Sequence, residues 1–228
     1  MPLSNENRNR LIKVAGALGA ELESVTFVGG AVLGLYLTEA GAKPTRATKD
    51  VDVVTREFGL VAPPDFERRL ESLGFRHCSD PGAPVCRWTL DDLLVDVMHP
   101  DGKLHGFDSR WFRHVPEHRE NVVVGSTVIH IPLSPVYVAT KLEAYVARGA
   151  EDVLGSHDLE DVIAVIDARP ALAAEIERFP DAELRRFVLT KLRDAVERSE
   201  RLGYLEGLVE HGRLEIVRER CRALFSIA

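Results

Sequence analysis

What this chain has little of narrows the field first. Its 228 residues include only three cysteines, Cys78, Cys86 and Cys221, and none falls in a C-x-x-C pair or at a Cys/His metal spacing. So sparse and odd a set argues against a disulfide framework and for a reducing compartment. No stretch approaches the roughly 20 apolar residues of a membrane span. The start, "MPLSNENRNRLIKVAG", lacks the apolar core of a secretory signal. A cytoplasmic protein with no membrane association is expected. Positive charge is also short: 29 Lys and Arg stand against 36 Asp and Glu, a net charge of -7. That argues against a general nucleic-acid coating protein, which would be basic, while leaving room for a local basic cleft. There is no Walker A motif, no internal repeat and no low-complexity segment.

What is present is an ordinary globular composition, 45% hydrophobic and 29% charged, enough for a sizeable core. Residues 5 to 20 carry an apolar stripe at helical spacing. "SVTFVGG" predicts a short strand ending in a glycine pair, and "AVLGLYLTEAG" a helix after it. "DVDVVT" predicts a strand, and "PPDFERRLESLGF" a helix with prolines at its start. "PVCRWTL" and "LLVDVMH" read as paired strands around Asp91-Asp92, and "NVVVGSTVIHIP" as a hairpin turning at Gly125-Ser126. After Pro132 the pattern turns almost wholly helical, beginning with "SPVYVATKLEAYVARG" and its leading serine cap, then "SHDLEDVIAVIDARP" and three further helical segments. The expected architecture is α/β (α+β): a mixed-sheet core over residues 1–132 and a helical region over 133–228, packed on it.

The segment "TRATKDVDVVTRE" sets the chemical problem. Asp50 and Asp52 are two apart, so on a strand both point to one side. A buried, unpaired carboxylate costs several kcal/mol, so such a pair calls for a cation or hydrogen bonds. Two readings stand: a site for Mg²⁺, which prefers oxygen ligands, or an edge strand with a solvated outer face. Asp96 adds a third acid inside the apolar "LLVDVMH". If its strand lies beside residues 50–55, three carboxylates converge. With a nucleoside triphosphate they can hold two metal ions, one lowering the pKa of an attacking hydroxyl and one stabilising departing pyrophosphate. Gly29-Gly30, between strand and helix, lets backbone approach a ligand closely, and the helix N-terminus favours a phosphate. A purely steric need for glycine is the alternative.

Together "FVGG", "RATKDVDVV" and the later "VDV" resemble the nucleotidyltransferase superfamily related to DNA polymerase beta. The nearer resemblance is to its AbiEii-like branch, which includes the nucleotidyltransferases of toxin-antitoxin systems. That likeness matches Arg46 and Thr48 ahead of the acid pair, and the helical motif "KLEAYVAR" with the downstream "SHDLEDV": Lys141, Ala144, Arg148, Asp158 and Asp161. The resemblance spans residues 27 to about 162. It implies a metal-dependent nucleotidyltransferase using Mg²⁺ or Mn²⁺ and an NTP donor, with Asp50, Asp52 and Asp96 as metal ligands and catalytic acids. It implies that Gly29, Gly30, Arg46 and Thr48 position the triphosphate, that Lys141 is a catalytic and charge partner, and that Asp158 and Asp161 shape the nucleotide site. An RNA or tRNA acceptor and a cognate antitoxin follow from the same likeness.

Helix geometry is compatible with it: Lys141 and Arg148 lie two turns apart on one face, and Asp158 and Asp161 share another. A plain interhelical salt bridge is the alternative for that cluster. Lys49 reads as a solvated loop residue, with a phosphate contact as the alternative, and Arg56 as a strand-end charge; "RWFRHVPEHRE" reads as a path for an RNA acceptor or as a solvated loop, and His99, His105, His114 and His118 stand at no ligand spacing. A dinucleotide-binding reading of "FVGGAVLG" fails because the second glycine falls out of register with G-x-G-x-x-G, and because its acid should end a strand whereas Asp50 begins one. An aminoglycoside-type adenylyltransferase and a non-catalytic protein of the same fold remain as rivals.

Overall fold

The computed structural model describes residues 2–39, 42, 45–55, 65–101, 110–149 and 153–227. The chain divides into two compact units: Pro2–Leu35 with Pro44–Leu133, and Tyr36–Lys43 with Ser134–Ala228.

The first unit is built on a five-stranded mixed sheet. In chain order its strands are β1 (Val25–Val28), β2 (Asp50–Thr55), β3 (Arg76–His77), β4 (Arg87–Leu90) and β5 (Leu93–Met98). They lie in the order β1-β2-β5-β4-β3. The β4–β5 hairpin turns at Asp91, whose φ of 54° is tolerated because a short Asp side chain can enter the left-handed region. The pairing that matters is β2 with β5, which is parallel and central. Val51, Val53, Val54, Val95 and Val97 are all buried there, which is why both segments read as valine-rich.

Helix α1 (Asn5–Leu18) is capped by Ser4, whose hydroxyl accepts from the Asn7 N–H, and it buries Leu11, Val14, Ala15 and Leu18. Helix α3 (Asp65–Ser72) follows the sheet's second strand, and a separate hairpin of β6 (Arg119–Val124) and β7 (Thr127–Pro132) turns at Gly125 as expected. The helix expected after the glycine pair is short: a 3-10 turn over Gly30–Val32, then α2 (Leu33–Tyr36).

The reason lies in the second unit, to which the chain contributes Tyr36 onward. Tyr36 stacks on Tyr137 at 4.2 Å, and the N–H groups of Thr38 and Glu39 donate to the Ala168 carbonyl at 2.8 and 2.9 Å. Glu39 then pairs with Arg213 and Arg220. These contacts satisfy backbone groups that further helix would have used, so the helix stops. The rest of this unit is helical: α4 (Ser134–Ala144), continued by a π turn over Tyr145–Gly149, then α5 (His157–Ala168), α6 (Leu172–Arg178), α7 (Ala182–Arg201), α8 (Leu205–Leu208) and α9 (Leu214–Phe225). Ser134 begins α4 with its hydroxyl donating to Glu175, whereas Ser156 caps α5 by accepting from Leu159 N–H. No helix among the described residues is long and apolar enough to cross a membrane.

Candidate active site

Register assembles the acids. Asp52 is the cross-strand partner of Asp96, and Asp50 that of Leu94. Directly paired residues of neighbouring strands project to the same face, and residues two apart do likewise. Asp50, Asp52 and Asp96 therefore converge, with carboxylate oxygens within 4.8 Å of one another. Among the described residues this is the group of acids, histidines or cysteines able to share an ion. The donor set is all oxygen, which suits a hard divalent cation such as Mg²⁺ or Mn²⁺.

The glycine turn closes against these acids. Gly29 has φ 72° and ψ -163°, a backbone region essentially restricted to glycine. A Cβ at that position would stand 1.9 Å from Asp52 Oδ2. The glycine is thus required twice, by conformation and by the carboxylate that lies where a side chain would go. At Gly30 a Cβ would meet the Thr48 methyl at 2.9 Å and lie 3.7 Å from both terminal nitrogens of Arg46. The turn and the 45–49 loop are therefore in contact, and the Arg46 guanidinium lies over Gly30. Gly29→Ala is expected to cost about 1–3 kcal/mol of stability from backbone strain, and to lower the nucleotidyl transfer that the sequence resemblance implies at least about a hundredfold by displacing Asp52. Urea unfolding and initial rates check the two halves; a variant with unchanged activity would show that Asp52 need not stand where it does.

A residue that sequence reasoning passed over fastens this loop. Asn7 is fully buried in the first turn of α1. Its Nδ2 donates to the Arg46 carbonyl at 3.0 Å, and its Oδ1 accepts from the Thr48 N–H at 3.0 Å. Thr48 hydroxyl in turn donates to the Asp50 carbonyl at 2.8 Å, so Thr48 acts on the start of the acid-bearing strand. Arg10 of the same helix donates to the Thr48 carbonyl. An Asn in the first turn of a helix is unremarkable in sequence, and its partners are 39 and 41 residues away, so no local signal marks it. Asn7→Ala removes both bonds, and a third from the Thr48 hydroxyl to Asn7 Oδ1 at 3.3 Å, from a buried site and is expected to destabilise by about 1–3 kcal/mol. Faster hydrogen exchange at the Thr48 amide would confirm the specific contact.

Arg87 is the second residue missed. It is paired with Asp96 across β4 and β5. Its Nε and Nη2 donate to Asp96 Oδ1 and Oδ2 at 2.8 and 2.7 Å, and Nη2 also reaches Asp50 Oδ2 at 3.3 Å. The hydrogen bond to Asp96 holds the guanidinium pKa above its ordinary value, against the opposing effect of burial. A carboxylate has about four lone-pair sites, so Asp96 can serve Arg87 and a metal together. The adjacent Cys86 is buried, and burial, with the nearby Asp96, pushes its thiol up to about 11, so it stays neutral at pH 7 and leaves ion binding to oxygen.

The motif residues of the helical unit form their own cluster. Lys141 Nζ lies 3.1 Å from Asp158 Oδ1 and 2.6 Å from Asp161 Oδ2, and Arg148 Nη2 lies 2.9 Å from Asp158 Oδ2. Asp161 is fully buried. Burial by itself would lower the Lys141 pKa, but the Asp161 and Asp158 carboxylates outweigh it and hold the group above its ordinary value. Asp158 is opposed by burial in the same way, and Lys141 and Arg148 hold it below the usual carboxylate range.

Lys49 is exposed, as a solvated loop lysine should be, while Arg56 and His105 lie outside the described residues. His114 is buried, with its ring 5.8 Å from that of buried Trp111 and 5.5 Å from that of His118. Arg110 and Arg113 lie over the Trp111 ring at 4.5 and 5.7 Å, which ties that basic stretch into a folded 3-10 turn.

No family model matches the chain, and no curated protein matches it. Solved structures do match. An antigenic nucleotidyltransferase-like protein from Paracoccidioides brasiliensis aligns over 88% of this chain and 92% of its own, with a TM-score of 0.52 at 19% identity. The fold is nucleotidyltransferase-like. A second solved structure, ANT(2″)-Ia in complex with adenylyl-2″-tobramycin, covers 82% of this chain and 97% of its own, with a TM-score of 0.51 at 14% identity. On this nucleotidyltransferase-like fold, the three acids lie on the neighbouring interior strands β2 and β5, with the Gly29 turn against Asp52.

Proposed function

We infer that the protein is a metal-dependent nucleotidyltransferase, moving a nucleoside monophosphate from an NTP to an acceptor hydroxyl. The observation that carries this reading is the convergence of Asp50, Asp52 and Asp96 beside the Gly29 turn. The acceptor oxygen attacks the α-phosphorus, the α–β bridging bond breaks, and pyrophosphate leaves with that electron pair. Bound Mg²⁺ or Mn²⁺ would supply Lewis acidity, easing loss of the hydroxyl proton and neutralising charge on the leaving group. Asp50 and Asp52 are the metal ligands. Asp96 shares that role and assists removal of the acceptor proton. Gly29 and Gly30 give the phosphates close approach to backbone, and Arg46 is their charge partner, held in place with Thr48 by Asn7. The Lys141–Asp158–Asp161 cluster enters as a nucleotide contact through the motif resemblance alone.

An RNA acceptor, in particular tRNA, is the first reading of the substrate, resting on the AbiEii-like motifs; a cognate antitoxin protein and a cytoplasmic location go with it. An aminoglycoside acceptor is the second, favoured by the fold similarity to a protein solved with an adenylylated tobramycin. The decisive experiment incubates the protein with each α-³²P-labelled NTP and Mg²⁺, with total cellular RNA in one arm and tobramycin in another. Labelled tRNA supports the first acceptor and labelled drug the second. No transfer and no pyrophosphate in any arm would leave a non-catalytic protein of this fold.

A further inference from the structure

Two of the three acids, Asp96 and Asp50, already share a cation of the protein's own. Arg87 grips both oxygens of Asp96 and reaches Asp50. Its place is fixed by backbone, because the β4–β5 ladder sets Arg87 opposite Asp96. The side chains of Arg87, Asp96 and Asp50 are 23%, 11% and 33% exposed, so water screens them only in part. We propose that Arg87 is a resident competitor of divalent metal at Asp50 and Asp96, and that it ties full metal occupancy to the arrival of the nucleotide.

Charge supplies the argument. Three carboxylates and one guanidinium leave two formal negative charges. One divalent ion balances them. A second would leave two positive charges in a partly buried site, an excess that a triphosphate carrying about four negative charges offsets. A guanidinium about 5 Å from a divalent ion weakens its binding by about tenfold even at the screening of bulk water, and by more at a half-buried site. Bond directions add to this, since each oxygen of Asp96 spends one lone-pair direction on Arg87. The consequence is a centre that takes its first ion weakly and its second only with substrate, which limits idle metal chemistry in the absence of NTP. The contrasting role is a scaffold, in which Arg87 merely holds Asp96 in its rotamer and leaves metal affinity alone.

This inference rests on the triad being a metal centre and adds a regulation of that centre. The test is a Mn²⁺ titration without nucleotide, followed by the electron paramagnetic resonance signal of free Mn²⁺. Arg87→Gln is expected to bind Mn²⁺ at least about tenfold more tightly than the wild type. Arg87→Lys keeps the charge and is expected to stay within about threefold of it. Unchanged or weaker binding in the glutamine variant overturns the proposal, as does a lysine variant that tightens equally. Thermal unfolding identifies a variant that has lost its fold. In that event the wild type decides: Mg²⁺ is expected to shift the Arg87 Nε–H resonance, and an unmoved resonance at saturating Mg²⁺ overturns the competition. Absence of Mn²⁺ binding in every form would instead sink the metal reading of the triad, and binding without any nucleotidyl transfer would sink the enzymatic reading while leaving this one standing.

Discussion

Asp52→Asn is expected to lower nucleotidyl transfer about a thousandfold or more while leaving the protein folded. The substitution keeps shape and one acceptor oxygen but removes the formal charge from the carboxylate we propose as a metal ligand. A thousandfold is about 4 kcal/mol of transition-state stabilisation, within the several kcal/mol that metal-ion catalysis supplies. Stability should barely move. Asp52 is half-buried on β2 among acids that repel it, so losing its charge relieves repulsion, and the thermal midpoint should stay within a few degrees. Initial rates with the NTP and acceptor identified by labelling, beside a circular-dichroism melt, test both halves. Activity within tenfold of wild type would remove Asp52 from the chemistry.

Lys141→Met is expected to act in the opposite sense, on stability first. It strips the counter-charge from Asp158 and from the fully buried Asp161. Breaking a buried ion pair from one side costs about 3–5 kcal/mol, because a carboxylate is left without compensation. That is a large part of a typical total of about 5–15 kcal/mol. Urea midpoints measure it, and a loss below about 1 kcal/mol would mean the acids find other partners at once. A variant combining Lys141→Met with Asp158→Leu and Asp161→Leu removes all three charges and should recover most of the loss, since replacing a whole buried ionic cluster by apolar side chains of similar volume is often close to neutral. That variant also separates structure from function for the cluster as a whole: stability regained without activity assigns the cluster to the nucleotide, and activity regained assigns it to the fold. The cluster has a defined pH window. Asp158 is held below its ordinary 3.8, so its contribution is present above that value and is lost as pH falls through the lower folded pKa. Lys141 is held above its ordinary 10.5, so its contribution is present below that value and is lost as pH rises through the higher folded pKa.

The acids were legible because each broke a local pattern. Asp50 and Asp52 alternate with buried valines, and Asp96 interrupts an apolar strand, so each asked for a partner before any partner was known. The glycine pair was legible for the same reason, at a strand end where a side chain was missing. Arg87 broke no pattern strongly enough. In "PVCRWTL" an arginine on the alternate face of a hairpin strand reads as solvent-facing, and only the pairing of β4 with β5 turns it toward Asp96. Asn7 looked like a routine polar residue of a first helical turn until the 45–49 loop was seen to close on it. The helix over "AVLGLYLTEAG" was overlong because its apolar periodicity continues past Tyr36, whereas the chain leaves to bond the Ala168 carbonyl 130 residues away.

By itself, then, the order of residues determined which side chains could not stand alone: three carboxylates among valines, a glycine pair, and a lysine with two acids at matching helical spacing. Those are local conflicts between burial and charge, and they are visible wherever hydrophobic periodicity is visible. Tertiary structure alone decided who resolves each conflict. It set β2 parallel to β5 in the one register that places Asp52 beside Asp96, and it set Arg87 against both Asp96 and Asp50. It also closed Asn7 over the loop that carries Arg46 and Thr48. Register and loop closure come from the sum of many distant contacts, and a one-residue slip of β2 would turn Asp50 and Asp52 to the other face.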